Sequence, residues 1–168
     1  TPNISGTLSF SATVSGSQSD PNLADNSVTA STLVASPFIQ VASAGATLVL
    51  ESVIPANGAV EPGETVTAAL RLRNVGNIPT TNVVATLLAA NGINPIGEVT
   101  QAYQVLSPGG FPVTRVFQFS AAGTNGGVAT AVLQIKDGDV EYPPVSFPFY
   151  FSNVRTFSST NLITLRDN

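Results

Sequence analysis

The sequence predicts an all-β protein: an antiparallel β-sandwich with an additional N-terminal β-hairpin. Three observations support this. Apolar and small polar residues alternate with a period of two along most apolar segments. These segments are short and are separated at regular intervals by Gly, Pro, Asn and Asp. No segment holds a 3.6-residue apolar period over three turns, so essentially no helix is expected.

The elements follow in chain order. Residues 7–15 place Leu8, Phe10, Ala12 and Val14 on one face and small hydroxyls on the other. Residues 27–35 repeat the pattern with Val28, Ala30, Thr32 and Val34. The polar stretch 17–26, which contains Pro21, joins them, so residues 1–36 are expected to form a hairpin or partial β-repeat. A lone hairpin is marginal in water, and this one needs a partner for its apolar face. Ser36-Pro37 breaks the pattern, and residues 37–45 read as a linker with a Ser-Ala-Gly break at 43–45.

A second unit is expected over residues 46–153, with strands at 46–52, 65–74, 81–89, 99–105, 113–120, 128–136 and 145–152. Turn-forming groups fall between them: Pro62-Gly63, Asn91-Gly92, Pro108-Gly109-Gly110, Gly123–Gly127 and Asp137-Gly138-Asp139. An immunoglobulin-like sandwich needs about 100 residues, which this span supplies once. Residues 154–168 read as a C-terminal extension with a weak strand at 161–166.

Composition narrows function. Charged residues make up 10% of the chain, against about 25% in an average soluble domain. Ser, Thr, Asn and Gln must therefore cover the surface, as is common in extracellular β-modules. The net charge is −4 and Lys136 is the only lysine, so no basic stripe exists to neutralise phosphates and nucleic-acid binding is not expected. No apolar stretch reaches the length of about 20 residues needed to span a bilayer. The chain opens on Thr1 without a signal-like n-region and contains no Met, which points to an internal or processed segment of something longer.

The absence of His and Cys removes Ser-His-Asp and Cys-His catalysis, disulfides and thiolate metal sites. The glycines at 123–127 precede a strand, so they lack the helix N-terminus of a phosphate loop. The ten carboxylates sit in turns or near strand ends and imply no shared pocket, so no enzymatic activity is expected. Calcium, which takes carboxylate and carbonyl oxygens from loops, is the one metal worth weighing. The densest acidic group is Asp137, Asp139 and Glu141, with Asp20 and Asp25 as a second. Neither fits the EF-hand or the nonapeptide calcium pattern, and solvated turn acids, with Asp137-Gly138 making a hairpin, account for them better. Phe147, Phe149 and Phe151 alternate opposite Tyr150, a pattern that fits a core face better than a sugar-stacking platform. Tyr103, Tyr142 and Tyr150 are weaker hints of glycan binding. Asn3-Ile4-Ser5 is an N-glycosylation sequon, uninformative in a bacterial source.

Two stretches resemble known bacterial surface modules. Gly6–Gly16, followed by the Asp20-Pro21-Asn22 turn and Asn26-Ser27-Val28-Thr29-Ala30, resembles the C-terminal hairpin of an envelope-protein repeat of uncharacterised role. Val60-Glu61-Pro62-Gly63-Glu64-Thr65-Val66-Thr67, then Leu70–Asn77 and Thr81–Leu87, resembles the cell-adhesion-related (CARDB-like) immunoglobulin-like domains of bacteria. The tail 157–168 is similar to linkers that lead into subtilisin-kexin-type P-domains. These resemblances imply an extracellular or cell-surface structural or adhesive module. Its partners would be neighbouring domains or identical subunits joined by β-strand pairing. Glycan binding and calcium-stabilised adhesion are the rival readings. The residues also have a local reading: Pro62-Gly63 suits a tight turn, Glu64 can accept backbone N–H bonds, and Asn74, Gly76 and Asn77 suit left-handed backbone at the next corner.

Overall fold

The structure, a computed structural model, describes residues 5–152. The sequon at Asn3 and the extension at 154–168 with its weak strand lie outside the described residues. The chain divides after Phe38 into two units.

The first unit is a hairpin of β1 (Gly6–Thr13) and β2 (Ser27–Val34), paired antiparallel. Its register sets Leu8 opposite Thr32, Phe10 opposite Ala30 and Ala12 opposite Val28, so the alternation of both strands meets on one face. On the other face hydroxyls pair, with Ser11 and Thr29 oxygens 2.8 Å apart. The connecting loop braces itself. Asp20 accepts the Asn22 N–H at 2.9 Å, Asp25 accepts the Asn22 amide at 3.0 Å, and a single 3-10 turn covers Leu23–Asp25.

The second unit is an immunoglobulin-like antiparallel sandwich of eight strands: β3 (Val41–Glu51), β4 (Thr65–Asn74), β5 (Val83–Leu87), β6 (Ile93–Ile96), β7 (Thr100–Gln104), β8 (Val113–Ala121), β9 (Val128–Asp137) and β10 (Val140–Tyr150). One sheet runs β3-β4-β8-β6 and the other β10-β9-β5-β7. This is the two-sheet division of the immunoglobulin sandwich with one edge strand added. Period-2 alternation supplies the inward faces. Val66, Ala68, Leu70 and Leu72 of β4 and Phe117 and Phe119 of β8 meet Ala131, Leu133 and Ile135 of β9 and Phe147 and Phe149 of β10. Burying each large side chain contributes about 1.5–3 kcal/mol. The Phe119 and Phe149 rings meet across the sheets at 5.4 Å and 57°. Tyr103, buried in the same core, donates its hydroxyl to the Leu70 carbonyl at 3.0 Å, and burial pushes its pKa up.

Several boundaries differ from expectation, each for a local reason. Residues 41–45, expected in the linker, form the start of β3. The Ser-Ala-Gly break is a register shift inside that strand, where Gly45 takes a φ of +100°. β10 starts at Val140, and a second shift between Tyr142 and Val145 absorbs Pro143-Pro144. β6 was not foreseen, being four residues long with Pro95 inside it, which an edge strand tolerates. Asn74, Gly76 and Asn77 are not left-handed: among the described non-glycine residues only Asn91 and Gln104 have positive φ. Asn74 acts through its amide, donating to the Ile78 and Leu106 carbonyls at 2.8 and 3.1 Å and accepting the Gly76 N–H at 2.8 Å.

Candidate functional site

Asp137 is only 7% exposed, and both its oxygens are occupied by backbone donors. Thr81 N–H reaches one oxygen at 2.8 Å and Asn82 N–H the other. The side chain thus fixes the entry to β5 onto the end of β9 and is not a solvated turn acid. Asp139 is exposed at the hairpin tip, and Glu141 accepts a hydrogen bond from the Gln134 amide while pairing across the ladder with Lys136. Among the described residues no group of three or more acidic side chains is arranged to hold a metal ion.

The corner before β4 is a carboxylate cluster of another kind. Gly63, at φ +86°, follows Pro62 in a turn closed by Glu64 N–H on the Glu61 carbonyl at 3.1 Å. Buried Glu64 accepts the Val53 N–H at 3.2 Å and the Glu61 N–H at 2.9 Å, as the sequence foresaw. Burial pushes the Glu64 carboxyl above the usual range, and the neighbouring Glu61 carboxylate adds to the shift. Glu61 itself is held below the usual range, chiefly by the Asn57 amide. Its position explains why this corner keeps its shape: each of its acids serves the loop backbone or side chains around it.

The aromatic residues separate cleanly. Phe147, Phe149 and Phe151 are core, as their alternation predicted, and Tyr103 is buried with them. Tyr150 points outward at 74% exposure, and Phe111 is almost fully exposed at a loop tip.

What remains is the hairpin. Leu8, Phe10, Val14 and Val28 are 59–70% exposed, and its own unit contains no second layer among the described residues. β1 and β2 each pair on one side only, so each has an outer edge of unpaired N–H and C=O groups. Neither strand contains a proline or a charged residue. Three of the four sandwich edges are treated differently. β6 carries Pro95, β10 carries Pro143, Pro144 and Pro148, and β7 is five residues long. Proline cannot donate to a ladder and short edges offer little to pair with, so these edges resist strand addition. The hairpin has no such guard, which makes it the candidate functional surface. Sequence reasoning found its alternation, but the contrast with guarded edges needs the sheet order.

Among the described residues no helix is long and apolar enough to cross a membrane. No protein-family profile and no curated protein matches the chain.

Proposed function

We propose that this chain is a structural or adhesive module of a secreted bacterial surface protein or fibre, acting outside the cell without catalysis and joining neighbouring domains or subunits by β-strand pairing. The observation that carries the reading is the hairpin, whose edges are unguarded and whose face exposes Leu8, Phe10 and Val28. An extended partner that adds to such an edge gains main-chain hydrogen bonds, and the alternate side chains give it register. The low charge of the chain supports the same reading, as does the resemblance of residues 60–67, 70–77 and 81–87, read from the sequence, to bacterial adhesion-related domains.

Sedimentation velocity and negative-stain electron microscopy of the chain test this proposal. Concentration-dependent oligomers or fibres are expected, and Phe10→Ser should reduce them without lowering the melting temperature of the sandwich. A strictly monomeric chain at high concentration would remove self-assembly from the proposal. Glycan binding is the rival that Tyr150 and Phe111 keep in view, and retention on a glycan array would favour it.

A further inference from the structure

Edge strand β3 is the exception among the sandwich edges. It spans eleven residues, contains no proline, carries no charge before Glu51, and pairs with β4 on one side only; its only irregularities are register shifts between Ser43 and Ala46 and between Leu48 and Leu50. Beside its open edge lies a groove of about 550 Å³ between β3 and β10, the edge strand of the facing sheet. Its apolar lining includes Ala46 and Leu48 of β3, Val60, and Phe147 and Phe149 of β10. The two edges do not pair with each other. Val60, which lines the groove, forms a parallel bridge with Phe151, and Ser152 N–H reaches the Val60 carbonyl at 3.1 Å. Pro148 lacks a donor, so β3 is the better rail for an incoming strand.

We infer that this seam is the acceptor for the β1–β2 hairpin of a second copy of the chain, a deepening that rests on the strand-pairing function proposed above. The match is chemical and geometric. The donor offers eight-residue strands without charge or proline, with apolar side chains at every second position; the acceptor offers a proline-free unpaired edge, interrupted by two register shifts, beside a groove lined in part by apolar side chains. Pairing satisfies backbone groups on both edges and removes Leu8 and Phe10 from water. Because donor and acceptor are different surfaces, the contact is head-to-tail and propagates, giving open assemblies where the rotation does not close a ring.

The chain has no cysteine, so introduced thiols report cleanly. A chain bearing Ala12→Cys on the donor face is mixed with one bearing Ala46→Cys at the seam, and a short bismaleimide is added. Cross-linked dimer is expected at least about tenfold above a mixture of Ala12→Cys with the outer-face variant Gln118→Cys, because docking raises the local thiol concentration. Oligomers without this enrichment would overturn the seam as acceptor while leaving the proposed function standing. Equal cross-linking in Ala12→Cys alone would also overturn it, in favour of hairpin-to-hairpin contact. Efficient intramolecular linkage in a diluted Ala12→Cys, Ala46→Cys double variant would place the contact within one chain and overturn the second copy as occupant. Absence of any oligomer would overturn the second copy as occupant and, beyond the seam, remove self-assembly from the proposed function.

Discussion

Single residues hold this fold through buried polar groups that bond mainly to backbone. Asp137 closes the β5 entry by accepting two N–H groups, and Asp137→Ala leaves both without a partner in a nearly buried site. The loss is expected to be about 2–4 kcal/mol, read as a lower urea midpoint, and melting temperatures in EDTA and in millimolar calcium should coincide. The acids at the β4 corner give pH dependence of two signs. Glu64 has a raised folded pKa, so the native state holds its proton more tightly than the unfolded chain. Its contribution is present at low pH and is lost as pH rises through the folded value. Glu61 has a lowered folded pKa, so its contribution is present above the usual value of 4.5 and is lost as pH falls below it. Urea titrations from pH 7 downward should therefore show stability rising through the Glu64 window and then falling below about 4.5. Glu64→Gln should flatten the upper limb; an unchanged upper limb would place the origin elsewhere.

At the scale of elements, turns set where each strand begins. Asn91 and Gly92 both have positive φ, 53° and 81°, and Ile93 N–H closes the turn on the Ala90 carbonyl at 2.9 Å. A Cβ on Gly92 would sit 2.4 Å from the Ala122 carbonyl oxygen, a backbone atom that cannot swing away. Gly58 has a similar φ of +76° but open space around it. Gly92→Ala is therefore expected to cost at least about 2 kcal/mol and Gly58→Ala about 1, since the second change carries only the left-handed penalty. Equal unfolding midpoints for the two variants would show that the close approach does not matter. These positions also mark how far the sequence could be read. Asn91-Gly92 announced a turn, yet β6 directly after it was invisible because four residues containing a proline give no alternation to read. The break at 43–45 was visible, but whether it ended a strand or bent one depended on β4 holding the chain in register on both sides of it.

For the whole molecule, the division after Phe38 separates two kinds of β structure. The core of the sandwich is drawn entirely from residues after that point, from Val41 to Phe151. A chain beginning at Ile39 should therefore melt within about 2 °C of the full chain, since a change of 1 kcal/mol moves the midpoint of a domain this size by several degrees. It should also lose the self-association expected of the full chain. A large drop in melting temperature would show that the first 38 residues contribute to the sandwich's stability.

Alternation and turn chemistry were enough to determine an all-β chain, the faces of β4, β8 and β9, the burial of Phe147, Phe149 and Phe151, and the unusual apolar face of the hairpin. These properties are local, because a pleated strand sends neighbouring side chains to opposite sides whatever it pairs with. Tertiary structure alone decided that Asp137 spends its oxygens, and Asn74 part of its amide, on distant backbone, that β3 is the long sandwich edge without proline, and that a partly apolar groove lies beside it. Those facts depend on which strands become neighbours, and strand order is set by packing across the two sheets, which no single segment encodes.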